Sequence, residues 1–403
     1  MFETLPPISL VETHPLALEM ISVGSANPIP DTLSSICKDP RLTRHLDLTL
    51  LKDLRDQLPD KIELSTSRNI ATKITPLEIY LALRVNSEQI TSTEIKHHTL
   101  GALSLEEGAA TIRDLVRTKR FMLAIEKAVH QVGESRNDLI SVVDAGCGPL
   151  PILSITAALT DPRVRCTAIE LNPNSAKVAR DLVNKLGLSK QINVVEGDAT
   201  TINLGFKADI IASETMDTAL FNEPIAQILG NLSKFIAPDG FIIPERIDVL
   251  ALLAPEGLTE SEFFYKIRDN THLAHKYDWS KPSASFSWNT REPLDLVTME
   301  MSPDKLINGR RPEVGYFMVL ASRVHILQDL KLEPGDVKNR IAPDSLISLP
   351  KTVDAVDSAW FIANDELDQV TRHQDPNIRI SYKPGDPYRG VVKVPSGIRL
   401  AYI

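Results

Sequence analysis

"LISVVDAGCGPLP", Leu139 to Pro151, is an almost wholly apolar run that stops at two glycines one residue apart. Such a run reads as a strand buried on both faces, and the glycines as the turn that ends it. Without a Cβ, Gly146 and Gly148 let a ligand approach the backbone where another residue would clash. Asp144, at the strand end, is placed either to bond a ligand ammonium or to order the loop. Cys147, between the glycines, reads as a small residue rather than a nucleophile.

Working outward, the same texture continues for about a hundred residues. "PILSITAALT" reads as a helix, "RVRCTAIELNP" as a strand, "NSAKVARDLVNKLGL" as a helix and "QINVVEGDA" as a strand. "KADIIASE" is a further strand, "EPIAQILGNLSKFIA" a helix, and "DGFIIPERIDVLALLAP" a turn into strand. Alternating strands and helices mean βαβ units around a parallel sheet, whose ligands sit beyond the carboxyl ends of the strands. This α/β unit is expected over 136–245.

The flanks differ from it. Residues 1–30 hold several prolines and read as an irregular arm. Residues 31–135 read as a helical domain. Leu42, Leu46, Leu50, Leu54 and Leu58 form one apolar stripe, and Thr75 with Pro76 and Glu78 signals a helix start. Ser104 and Glu107 repeat that start for one long helix reaching "AVHQV". From 246 to 403 the helical period fades. "VGYFMVLASRVHIL", "NIRISYKP" and "GVVKVPSGIRLAYI" read as strands of a β-rich, barrel-like domain.

Bulk properties narrow the function. The formal net charge is −9 and no long basic block occurs, so no nucleic-acid partner is expected. No apolar run approaches the roughly 20 residues of a membrane helix, and the start lacks the charge and apolar core of a signal peptide. A cytoplasmic chain with no membrane partner is the expectation. Cys37, Cys147 and Cys166 form no C-x-x-C pair, and His272 and His275 read as packing or surface residues, so no metal is expected. Neither a G-x-S-x-G elbow nor a phosphate-binding G-x-x-x-x-G-K loop is present.

Two further acids select a ligand class. Glu170 ends the second strand, where an acidic side chain accepts both hydroxyls of a ribose. Asp198 and the backbone of Ala199 end the third strand, over the place of an adenine; the alternative for Asp198 is a turn cap. These anchors also suit a nicotinamide enzyme. The helix after the glycines, however, opens with Pro149, Leu150 and Pro151, and proline supplies no N–H for a pyrophosphate. A nucleoside without phosphates fits better, and S-adenosylmethionine is such a ligand.

"SETMDTALFNEP", Ser213 to Pro224, adds two carboxylates, Glu214 and Glu223, around a mostly apolar run. Carboxylates at the end of a buried strand need a positive partner. With this segment the chain resembles the protein arginine methyltransferases, within the class I S-adenosylmethionine-dependent methyltransferases. "LVRTKRFMLAI", "VVDAGCG" and "FIAPDGFIIPERIDVLALLAP" carry the likeness, from about Asp114 to Pro255. "GPL", "AIELNPN" and "ADIIASE" look most like the symmetric-dimethylating branch. "SETMDTALFNE" resembles the double-glutamate loop of that family.

The resemblance implies a Rossmann-like class I methyltransferase core, S-adenosylmethionine as cofactor and a possible homodimer. It implies that Arg117 pairs with the cofactor's methionine carboxylate, that Glu170 holds the ribose and that Asp198 lies on the adenine side. It further implies that Glu214 and Glu223 hold the methyl acceptor. The bland alternative has Glu214 supporting the cofactor loop and Glu223 capping the helix that begins near Pro224. Met216 lines the sulfonium or simply packs. The expected activity is N-methylation of a guanidine, amidine or amine in a peptide, protein or small molecule. Methylation at oxygen, carbon or carboxylate, and a silent scaffold with the same fold, are the competing readings.

Overall fold

A computed structural model describes residues 103–112, 115–221, 223–255, 278–301, 315–333, 359–363, 378–385, 390–394 and 397–401. The irregular arm, the leucine stripe of 42–58, the helix start at Thr75 and the pair His272 and His275 lie outside the described residues.

Two helices precede the sheet, α1 (Leu105–Thr111) and α2 (Leu115–Ser135). The expected capping box starts α1. Glu107 N–H donates to Ser104 Oγ at 3.3 Å, and Ser104 N–H donates back to Glu107 Oε2 at 3.1 Å. The single long helix foreseen from the sequence is instead broken between Thr111 and Leu115. A helix end leaves carbonyls without partners, and Arg117 Nη2 donates to one of them, Thr111 O, at 3.1 Å.

The α/β unit follows as β1 (Ile140–Ala145), α3 (Ile152–Thr160), β2 (Val164–Glu170), α4 (Pro173–Lys185), β3 (Ile192–Glu196), β4 (Ala208–Ser213), α5 (Ile225–Leu232) and β5 (Ile236–Ile243). Its five strands lie parallel in the order β3-β2-β1-β4-β5. β1 is central and β4 is buried at every position, which explains their largely apolar character. α5 is shorter than the sequence suggests; a 3-10 turn at Ser233–Phe235 leads straight into β5.

α2 packs on this sheet. Phe121, Ala124, Ile125, Ala128 and Val129 are fully buried at helical spacing and share one apolar core with β1, β4 and α3. The sequence places this helix with the helical segment; in the structure its apolar stripe covers the α/β unit.

The β-rich part forms two antiparallel sheets among the described residues. One comprises β6 (Arg246–Pro255), β7 (Ala284–Asn289), β9 (Gly315–Leu327), β10 (Leu330–Leu332) and β11 (Ala359–Ala363). The other comprises β8 (Val297–Met301), β12 (Ile378–Tyr382), β13 (Gly390–Val394) and β14 (Gly397–Ala401). Alternate residues turn inward, Val297, Met299 and Met301 on β8 and Ile378, Ile380 and Tyr382 on β12. Among the described residues no helix is long and apolar enough to cross a membrane.

Candidate active site

Strand order alone locates the site. The winding reverses between β1 and β4, and crevices form at such switch points beyond the carboxyl ends of the strands. Register then sets which residues meet there. Ala145 pairs with Ser213, so Gly146 and Glu214 leave the sheet side by side. Glu170 pairs with Glu196, which brings Asp198 to the same rim two residues later.

Both glycines of the first loop have left-handed backbone, φ 77° at Gly146 and 64° at Gly148. A Cβ at Gly146 would also lie 2.2 Å from Thr215 Cγ2, in the loop after β4. The glycine therefore serves the contact between the two loops as well as the turn. Beneath it, Asp144 is 2% exposed and accepts from Ser154 N–H at 3.0 Å and Ser154 Oγ at 2.6 Å. Of the two roles open for Asp144, its present bonds serve the ordering one. Burial pushes its carboxyl up to about 6 against the pull of the Ser154 bonds.

Glu170 faces the same loop. One carboxylate oxygen accepts from Gly148 N–H and the other from Asn172 N–H, each at 2.8 Å. Burial raises its pKa and these amide bonds partly offset the rise. Each carboxylate oxygen has a second lone pair, so the amides orient the group without exhausting its capacity to accept. Asp198 uses Oδ1 to accept from Thr200 N–H at 2.8 Å and Thr200 Oγ1 at 2.6 Å, the turn-cap geometry held as its alternative.

Across the crevice, Arg117 Nη1 lies 2.9 Å from Glu214 Oε1, both side chains about one-fifth exposed. The sequence points Arg117 at the cofactor carboxylate and Glu214 at both the acceptor and the cofactor side; the structure places the two in one ion pair. Glu223 stands at the far end of the loop, where its N–H lies 3.5 Å from Asp217 Oδ1. The N-cap of α5 is Pro224 and makes no side-chain cap bond.

Arg117, Asp144, Gly146, Gly148, Glu170, Asp198, Ala199, Glu214 and Glu223 all line one cavity. Residues 109–243 match the family model described as PRMT5 arginine-N-methyltransferase. Over that stretch the chain is similar to protein arginine methyltransferases, and it holds the residues that line the cavity apart from Leu103 and Gly108. The protein arginine N-methyltransferase 5 of Oryza sativa subsp. indica is 28% identical over 40% of this chain and 25% of its own length. An uncharacterized protein of Methanocaldococcus jannaschii is 32% identical over 34% of this chain and 49% of its own. The chain thus spans between a quarter and a half of these curated relatives. Among solved structures, the Trypanosoma brucei PRMT1 enzyme-prozyme heterotetrameric complex with AdoHcy covers 68% of this chain and 85% of its own, at 15% identity and a TM-score of 0.42.

Other parts of the cavity escaped the sequence reading. Thr118 and Phe121 line it from α2, and Gly108 and Thr111 from α1. The segment "LVRTKRF" carried the signal for the first pair, because residues on successive turns of a helix share a face. Met216 does not line the cavity; it is partly buried and packs on the core. Cys147 does line it, but burial and the nearby Asp144 and Glu170 carboxylates push its thiol well up, away from the reactive thiolate.

Proposed function

We propose that this chain is an S-adenosylmethionine-dependent N-methyltransferase acting on the guanidinium of arginine in a peptide or protein. The Arg117–Glu214 pair carries the reading: Glu214 already holds a guanidinium at 2.9 Å on the cavity wall. A site that holds one guanidinium by a carboxylate has the chemistry to receive another between Glu214 and Glu223.

The cavity suits the nucleoside proposed for it. Gly146 and Gly148 both line the cavity, and at Gly148 a Cβ would enter open space, 3.9 Å from Gly108 O. Glu170 is a buried carboxylate ready to accept ribose hydroxyls, and Asp198 and Ala199 border the adenine end. Arg117 offers a cation to a carboxylate at the opposite end. Bound there, S-adenosylmethionine supplies an electrophilic methyl group. The chain's own work is then positional and electrostatic. Glu214 and Glu223 would orient the acceptor nitrogen, stabilise the positive charge that grows on it, and lie in reach of the proton it gives up. An anionic acceptor would be repelled by the same pair, which ranks oxygen and carboxylate acceptors lower. A homodimer and a cytoplasmic address belong to the same proposal.

Tritiated S-adenosylmethionine with arginine-rich peptides, and with the same peptides carrying lysine for arginine, tests it. Label confined to the arginine peptides is expected. Glu223→Gln should reduce kcat by on the order of 10²–10³ and leave S-adenosylhomocysteine affinity nearly unchanged. Transfer to neither peptide, or undiminished turnover in Glu223→Gln, overturns the reading.

A further inference from the structure

The loop that carries the two glutamates is not held by the α/β unit alone. At its centre, Ala219 and Leu220 have φ of 58° and 64°, a left-handed pair without glycine. Such backbone persists only where its surroundings over-determine it. Those surroundings come from the C-terminal sheets, more than a hundred residues away along the chain. Ala219 N–H donates to Ser322 Oγ of β9 at 2.8 Å. Tyr382 Oη, at the end of β12, donates to Ala219 O at 2.7 Å. Gly385 N–H donates to Leu220 O at 3.0 Å. One residue on, the Phe221 ring meets the Tyr382 ring at 4.7 Å between centroids, tilted by 49°.

The clamp continues into the next helix. Gln227 Nε2 of α5 donates to Pro384 O at 2.5 Å, and a Cβ on Gly385 would lie 2.8 Å from the same amide. The left-handed backbone of Gly385, φ 68°, is what favours glycine in the turn after β12, and a Cβ there would push on the Gln227 amide. Tyr382 itself is 1% exposed. Its hydroxyl has no solvent to turn to, and burial keeps it protonated as a donor.

We propose that Tyr382, supported by Ser322 and Gly385, is a positioning residue for the two-glutamate loop: it pins Ala219 and Leu220 in left-handed backbone and so sets where Glu223 stands relative to Glu214. The inference deepens the methyltransferase reading and rests on it. Glu214 is placed from one side by β4, whose strand ends at Ser213. Glu223 is placed from the other by α5, to which Gln227 and Pro384 tie the C-terminal turn. Between them the left-handed pair decides how the connection folds. Released from Tyr382, the pair can relax toward right-handed backbone, which redirects the stretch leading to Glu223. Tyr382 does not line the cavity and acts only through this loop.

Tyr382→Phe in the full chain isolates the hydroxyl, because the ring and its packing on Phe221 remain. Three measurements decide the outcome: turnover of the arginine peptide, S-adenosylhomocysteine affinity by calorimetry, and hydrogen exchange of the amides at 217–223. A fall in kcat of about 10- to 100-fold is expected, in line with the cost of a small misplacement of reacting groups. Affinity for S-adenosylhomocysteine should change less than about twofold, and exchange at 219–221 should quicken at least about tenfold, corresponding to a local opening made easier. A merely structural tyrosine would lower the melting temperature and leave kcat and those amides as they were; that result overturns the proposal. If Tyr382→Phe does not fold, Ser322→Ala removes the neighbouring anchor and is read the same way. Should the wild-type chain transfer no methyl group, the functional reading fails by itself. Exchange then still decides the clamp, upheld by faster exchange and overturned by an unchanged rate.

Discussion

Asp144 sits beneath the glycine loop with its carboxyl raised to about 6 by burial, and that has a consequence for stability. In the folded state it binds its proton more tightly than in the unfolded chain. Its contribution to stability is therefore fully present below the ordinary carboxylate pKa of 3.8 and is lost as pH rises to about 6. Between those values the loss amounts to on the order of 3 kcal/mol. Asp144→Asn keeps an oxygen for the Ser154 amide and removes the titration. Its unfolding free energy, measured by urea denaturation, should vary less between pH 4 and pH 6 than that of the wild type. Equal slopes would show that Asp144 titrates normally. Glu170 is shifted in the same direction by its burial and adds to the same trend. At this scale the strand-end acids were legible in the sequence because an acid after a buried strand is a local pattern. That Asp144 is satisfied by Ser154 was not, since the partner is one serine among many.

Single elements carry their own signals and their own test. α1 starts on the reciprocal bonds of Ser104 and Glu107, and it brings Gly108 and Thr111 to the cavity wall. Ser104→Ala removes the cap and should cost about 1 kcal/mol of stability. Hydrogen exchange should quicken within α1 and leave β1 unchanged; uniform exchange across both would refute a local role for the cap. The box was readable from the spacing of Ser104 and Glu107. The break between α1 and α2 was not, because the apolar pattern runs on through it while Arg117 satisfies Thr111 O from the following helix. For α5 the pattern likewise overran the true end. Strand pairing of Ile236 with Ala208 claims residues that helical periodicity alone would extend.

For the molecule as a whole, the α/β unit and the C-terminal sheets share one core. Buried residues from Ala109 to Tyr382 form a single apolar cluster. Polar ties reinforce the junction: Arg120 Nη1 donates to Lys331 O at 2.7 Å, Lys127 Nζ meets Asp329 Oδ1 at 2.7 Å, and Thr290 Oγ1 donates to Pro244 O at 2.6 Å. Scanning calorimetry is expected to show one transition for both parts, with Tyr382→Phe lowering it as a unit. Two separated transitions would mean that the sheets fold independently and that the loop clamp is weaker than its geometry implies.

What the sequence by itself determined was the order of strands and helices, the glycine loop, and the acids at the strand ends. These follow from side-chain period and backbone sterics over a few neighbouring residues, and such effects are local. Only the tertiary structure decided that Arg117 faces Glu214, and that Ser322, Tyr382 and Gly385 close on Ala219 and Leu220. Those contacts join residues roughly a hundred or more positions apart. They depend on the register of β1 with β4, and on the C-terminal sheets packing into the same core, which no local pattern encodes.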